Sequence, residues 1–265
     1  MRQFVSAEFP DKDGILKVSG KDFRYLCQVL RLRTGDMAAL RLPDGSLVNS
    51  TVAKIDEGSR IVCFQVCGGN GNFSENQSEY SGQTEFYLFQ FVAKSAKMEL
   101  IVRQATECGV AKIIPVEGEF SEKGCAKKNF KNDRTLRIIK EARQQSGSPV
   151  QTEICETVSF KQALNLWKEI SSGRNDVFGC VFYERSCMTE SLHKSVGEFK
   201  EINKCVIFCG GEGGISPAEI QEFAAEKIVP VHFDTNILRC ETAALYGIAA
   251  LQSSIAEKNL WTLKE

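Results

Sequence analysis

No stretch of the sequence comes near the roughly 20 consecutive apolar residues that cross a bilayer. The chain starts Met1-Arg2-Gln3-Phe4 without the apolar core of a signal peptide. Together these absences lead us to expect a cytoplasmic protein with no membrane partner. Histidine is scarce: His193 and His232 are the only 2 in the chain. The 11 cysteines contain no Cys-x-x-Cys pair, so the ligand spacing of zinc ribbons is missing. We therefore expect no metal, and thiols that are unbridged and mostly buried. A surplus of charge is lacking too. Against 34 Asp and Glu stand 33 Lys and Arg, a net charge of −1, which does not by itself announce a nucleic-acid partner. No Gly-Lys-Ser/Thr follows a glycine-rich turn, which excludes a P-loop. No glycine fingerprint opens a βαβ unit, which argues against an oxidoreductase using a nicotinamide cofactor.

What is present is unevenly distributed. Between Glu122 and Arg143 lie 8 Lys/Arg and only 3 acidic residues, and Lys21, Arg24, Arg31 and Arg33 form a second basic group. Either patch can neutralise phosphates or simply be a solvated helix face. Up to about Val66 the pattern is short strands, tight turns and one helix, over Asp22–Leu32. Asp44-Gly45 between two apolar runs is a hairpin turn, and Ile61–Val66 is another strand. We expect residues 1–70 to form a small β-barrel-type domain. Residues 71–84 fall in a stretch rich in Gly, Asn, Ser, Gln and Glu and are expected to be a linker.

Residues 85–265 alternate strand and helix. Glu85–Val92 is followed by a helix over Lys94–Cys108 with Met98, Ile101, Val102, Ala105 and Cys108 largely on one face. Asp133–Ser146 is a second helix, with Leu136, Ile139 and Ala142 inward and Arg134, Arg137, Lys140 and Arg143 outward. Further strands are expected at Ala111–Val116, Phe178–Tyr183, Cys205–Cys209 and Ile228–Phe233. The alternation predicts an α/β domain with a mainly parallel sheet covered on both faces. Ligands of such sheets bind beyond the carboxyl ends of the strands.

Two turns stand there. After Cys205–Cys209, residues 210–214 hold 4 glycines in 5 positions, which lets a ligand lie against bare backbone. Ser216, Pro217 and Glu219 then form a helix start with a capping box. After Ile228–Phe233 comes Asp234–Thr242, then a helix from Ala243 to about Ala256 whose small and apolar residues suit burial, against a second subunit among other choices. Arg239 and Glu241 stand at its mouth and could form a local ion pair.

Phe208–Ile220, F-C-G-G-E-G-G-I-S-P-A-E-I, resembles the I-G-P-E-G-G-[FL]-S-x-x-E motif of the bacterial 16S ribosomal RNA uridine-N3 methyltransferases, members of the SPOUT superfamily. Ile237–Ala243 matches that family's I-L-R-x-E-T-A, and Lys97–Val110 is similar to its K-M-[ED]-x-x-[IV]-x-K-[AS]-x-E-L-G-V helix. Tyr183-Glu184-Arg185, Glu141-Ala142 with Gln145-Ser146-Gly147, and Val29–Asp36 with Asp44-Gly45 extend the likeness almost end to end. The resemblance implies a trefoil-knotted C-terminal domain, an N-terminal PUA-like RNA-binding barrel and a homodimer acting on 16S ribosomal RNA or the small ribosomal subunit. It implies S-adenosylmethionine held by three loops. These carry Tyr183 and Glu184; then Gly210, Gly211, Glu212, Gly213 and Gly214; then Phe233, Asp234, Ile237, Leu238, Arg239 and Thr242. Arg239 would stabilise the developing uracil anion and Glu241 would accept a proton or orient Arg239. RNA would meet Arg24, Arg31, Arg33, Lys94, Arg137, Arg143 and Gln145.

The sequence departs from the family pattern in places. Gly211 stands where Pro is usual, and Phe233-Asp234-Thr235-Asn236 replaces L-G-x-R. Ser148 begins a segment that usually carries arginine. A related enzyme acting on another RNA position, such as a ribose 2′-hydroxyl, or a non-catalytic RNA-binding relative would share the same outline.

Overall fold

The computed structural model describes residues 3–67, 84–121, 129–186 and 189–260, with side chains through Lys258. The expected linker, apart from Thr84, and the basic run 122–128 lie outside the described residues. Two compact units emerge: Met1–Ser81 with Arg143–Pro149, and Gly82–Ala142 with Val150–Glu265.

In the first unit, β1 (Gln3–Val5), β2 (Ile15–Ser19), β3 (Met37–Arg41), β4 (Leu47–Asp56) and β5 (Ile61–Val66) form one sheet in the order β1-β3-β4-β5-β2. Only β1 and β3 pair in parallel. The Asp44-Gly45 hairpin is present: the Asp44 carboxylate accepts from the Ser46 amide and hydroxyl at 3.0 and 2.6 Å. The helix expected over Asp22–Leu32 is shorter and of two kinds. Its first turns, α1 (Lys21–Arg24), pass into a π-helical segment, Tyr25–Val29. Arg31 at φ 55° then reverses the chain. Phe23 and Leu26 close this unit's core over Leu16, Leu40, Val52 and Phe64.

The segment from Arg143 corrects two expectations. Buried positions of α3 (Asp133–Ser146) are Thr135, Ile138, Ile139, Ala142, Arg143 and Gln144, most of them on a stripe at helical spacing. Leu136 lies a helical step off that stripe and is 49% exposed. Arg143 lies on it, four residues after Ile139, so it is buried rather than outward. Its guanidinium donates to the Pro149 carbonyl at 3.4 Å, and burial, with Arg41 nearby, lowers its pKa. The other residues expected to meet RNA, Arg24, Arg31, Arg33, Lys94, Arg137 and Gln145, are exposed.

In the second unit a seven-stranded sheet runs β12-β10-β11-β6-β7-β8, with β9 also beside β7, and each of these pairs is parallel. Its strands are β6 (Glu85–Phe91), β7 (Lys112–Glu117), β8 (Glu153–Ile154), β9 (Val158–Ser159), β10 (Val177–Phe182), β11 (Lys204–Cys209) and β12 (Val229–Val231). Successive residues serve opposite faces. Cys205, Ile207 and Cys209 of β11 pack with α2 (Ser95–Glu107), α5 (Leu192–Gly197) and α7 (Cys240–Leu260). Val206 and Phe208 pack with α4 (Phe160–Ser171) and α6 (Pro217–Ala225). Helices therefore cover both faces, as the alternation required. Among the described residues no helix is long and apolar enough to cross a membrane.

The cysteines are less uniformly buried than expected: Cys180, Cys205, Cys209 and Cys240 are buried, Cys27, Cys63, Cys108 and Cys155 half-buried, and Cys67 exposed. Gly179 sits mid-strand in β10 because the Trp167 ring occupies the place where its Cβ would be. The Trp167 indole N–H donates to the Glu226 carbonyl at 3.0 Å, so the ring is tied in place. Gly179→Ala is expected to destabilise the protein by about 1–3 kcal/mol through overpacking, measured as a lower urea midpoint at constant slope; an unchanged midpoint would show that Trp167 yields.

Candidate active site

The strands β10, β11 and β12 end side by side, and the three turns that follow them wall a recess of about 600 Å³ counted out to its mouth. Tyr183 and Glu184 come from the first turn, Gly210, Gly211 and Gly214 from the second, and Phe233, Ile237 and Leu238 from the third. Of the residues expected to bind a ligand, the structure brings these eight together. Glu212, Gly213, Asp234, Arg239 and Thr242 belong to the same turns and to the start of α7 without lining the recess.

The glycine turn is folded tightly on itself. The Gly214 amide donates to the Gly211 carbonyl at 3.1 Å, and Gly214 has φ +74°, a conformation that suits a residue without Cβ. A Cβ on Gly211 would lie 2.9 Å from the Val92 carbonyl oxygen, and one on Gly213 would lie 2.7 Å from Phe120 Cβ. The turn therefore has chain on one side and the open recess on the other. Its exit is fixed by the capping box: the Glu219 amide donates to the Ser216 hydroxyl at 3.2 Å, while the Glu219 carboxylate accepts from the Ser216 amide at 2.9 Å. The same carboxylate accepts from the Glu119 amide at 2.8 Å, tying the loop after β7 to the turn.

Charged groups join α2, the glycine turn and α7. Lys97 Nζ lies 3.3 Å from a Glu212 oxygen and 3.8 Å from a Glu241 oxygen, and the Lys94 amide donates to both Glu212 oxygens at 3.3 and 3.2 Å. Glu241 pairs with Lys97 rather than with Arg239, which could have formed a local ion pair with it; Arg239 is exposed and contributes only at longer range. Burial pushes the Glu241 carboxyl up. Its own backbone N–H, the Cys240 thiol, Lys97 and Arg239 outweigh that and hold its pKa below the ordinary carboxylate value. Glu241 is thus held in its ionised form. The Cys240 thiol donates to Glu241 at 3.2 Å. Burial, that bond and the charge beside it raise its pKa to about 12, so it is no nucleophile.

Sequence reasoning missed Gln90 and His232. Gln90, the penultimate residue of β6, is fully buried, and its amide nitrogen donates to the carbonyls of Phe91, Cys209 and Gly210 at 3.0, 3.2 and 3.0 Å. Its signal was a single amide in the otherwise apolar run Phe86–Val92. His232 lines the recess, with Nδ1 3.1 Å from the Tyr183 carbonyl; its signal was rarity alone. Phe182, Cys209, Thr235, Asn236, Cys240 and Ala243 also line the recess; the last four lie in or beside the turn and motif already singled out, whereas Phe182 and Cys209 end apolar strands and carry no such mark.

A parallel α/β sheet with a ligand recess of bare backbone beyond its carboxyl ends defines the class of protein. A model of the RNA methyltransferase domain family matches residues 81–252, and the chain belongs to that family. It is 25% identical over 240 residues to ribosomal RNA small subunit methyltransferase E of Bacillus subtilis, covering 88% of each chain. It is 27% identical over 251 residues to ribosomal RNA small subunit methyltransferase E 2 of Borreliella burgdorferi, covering 92% of this chain and 93% of that one. The fold is that of a ribosomal RNA small subunit methyltransferase E from Neisseria gonorrhoeae, solved bound to S-adenosyl methionine, with TM-score 0.73 at 20% identity over 96% of this chain and 97% of that one.

Gln90→Leu keeps the shape but removes the bonds to three carbonyls that the turn needs. It is expected to cost about 1–3 kcal/mol in urea unfolding and to weaken any ligand of the recess; a variant as stable as the parent would make the amide dispensable.

Proposed function

We propose that the chain transfers the methyl group of S-adenosylmethionine to N3 of a uridine in 16S ribosomal RNA, acting in the cytoplasm on that RNA or on the small ribosomal subunit. The observation that carries this reading is the recess itself. Its glycine turn would offer backbone N–H and C=O groups to an adenine edge, while the chain packed behind it leaves no space for a Cβ at Gly211 or Gly213. The names of the relatives from Bacillus and Borreliella support the choice of RNA.

When bound, the donor supplies a methyl group already activated by a sulfonium, so the protein needs neither a metal nor a nucleophile of its own. What the chain must do is align the uracil N3 with the recess and favour loss of the N3 proton. Glu241, ionised and fixed between Lys97 and Cys240, is placed to accept that proton or to orient Arg239. Arg239, exposed at the start of α7, would offset the negative charge that grows on the uracil. The exposed basic groups Arg24, Arg31, Arg33, Lys94 and Arg137, with Gln145, would hold RNA phosphates.

The first unit would then be a PUA-like RNA-binding barrel and the second a trefoil knot, an exception to the usual avoidance of threaded chains. A homodimer is part of the same proposal. One side of α7 buries Ala244, Ile248, Leu251 and Ile255, while Tyr246 on another side is 44% exposed. Sedimentation at micromolar concentration should give twice the chain mass; a monomer would remove the dimer.

Nucleoside mass analysis of ribosomal RNA from a strain lacking the gene is expected to show loss of 3-methyluridine, and its persistence refutes the uridine-N3 reading. With purified protein, Arg239→Ala should lower methyl transfer to RNA by about 100-fold; transfer at the parent rate would take the charge-stabilising role from Arg239.

A further inference from the structure

The recess is almost without charge. Among the described residues that line it, Glu184 is the single one with an Asp, Glu, Lys or Arg side chain. Its two carboxylate oxygens lie 3.3 and 3.4 Å from the point where a Cβ on Gly214 would stand, so they rest on the glycine turn at the edge of the recess. The partner of Glu184 is Arg185, with Nε at 3.9 Å; the side chains are 36% and 62% exposed, a loose pair of the kind that yields to a better one. His232 also lines the wall, with Nδ1 3.1 Å from the Tyr183 carbonyl. Asn236 lines the wall with a neutral amide.

Such a wall reads charge. S-adenosylmethionine has a sulfonium, an ammonium and a carboxylate, a net charge of +1. In the transfer the N3 lone pair forms the new bond to carbon, and the sulfur keeps the electron pair of the breaking bond. The N3 proton passes to an acceptor, and the thioether product is left with net charge zero. We infer that Glu184 is a specificity-determining residue that holds the sulfonium form of the donor more tightly than the spent thioether, so that the recess empties after each transfer. Coulomb attraction acts on the first and has no net charge to act on in the second. The inference rests on the donor assigned under the proposed function.

The test is calorimetric titration of the parent protein and of Glu184→Gln with S-adenosylmethionine and, separately, S-adenosylhomocysteine. The parent should prefer the donor, and Glu184→Gln should narrow the donor-to-product affinity ratio by about fivefold, chiefly by weakening the donor. A parent without preference, or a variant that loses both ligands equally, overturns the role of Glu184 while leaving the donor site standing. A parent that binds neither ligand overturns the donor reading and this inference with it.

Discussion

The second unit is organised by how closely backbone approaches backbone at the carboxyl ends of its parallel strands. Between the Val92 carbonyl and the Gly211 Cα there is no room for a methyl group, and Phe120 takes the same space at Gly213. Side chains are excluded at these two positions, so the turn presents only peptide N–H and C=O groups there. Those groups must be fixed, because a mobile turn would spend the binding free energy on ordering itself. Gln90 fixes them from below by gathering three carbonyls on one amide nitrogen, and the Ser216–Glu219 capping box fixes them at the exit.

Charge is kept out of that floor and arranged at its border. Lys97 stands between Glu212 and Glu241, which joins the start of α2, the glycine turn and the start of α7 through one ammonium. Because these pairs are partly exposed, each contributes little stability alone. Their effect is positional: the Glu241 carboxylate is held in its ionised form between Lys97 and the Cys240 thiol. The thiols beneath, Cys205 and Cys209, are pushed far above the ordinary value by burial and act as small apolar fillers.

Much of this could be read from the residues alone, for identifiable reasons. Parallel strands buried on both faces give apolar runs such as Cys205–Cys209, and α2 shows its buried face through Met98, Ile101, Val102 and Ala105 because helical spacing is regular. The turns were legible because glycine and capping residues act locally. Long-range requirements were not. Arg143 reads as an outward cation, yet it sits four residues beyond Ile139 on the buried stripe. Gln90 looks like an interruption of a strand until the carbonyls of Cys209 and Gly210, some 120 positions away, are placed beside it.

The departures from the family pattern also acquire physical content. Proline at position 211 would bring a Cβ to within 2.9 Å of the Val92 oxygen; the glycine found there and the close approach of the turn to Val92 therefore belong together. Asp234, in place of glycine, is exposed and does not line the recess, so its carboxylate adds negative potential outside the wall without narrowing it. Asn236, where arginine is usual, does line the recess and removes a cation from it. Ser148 is buried, with its carbonyl accepting from Gln3 at 3.3 Å, and a guanidinium there would have to be desolvated. Two of these changes, at 234 and 236, shift the charge near the recess in the same direction. A ligand with net positive charge is the one that such a shift favours.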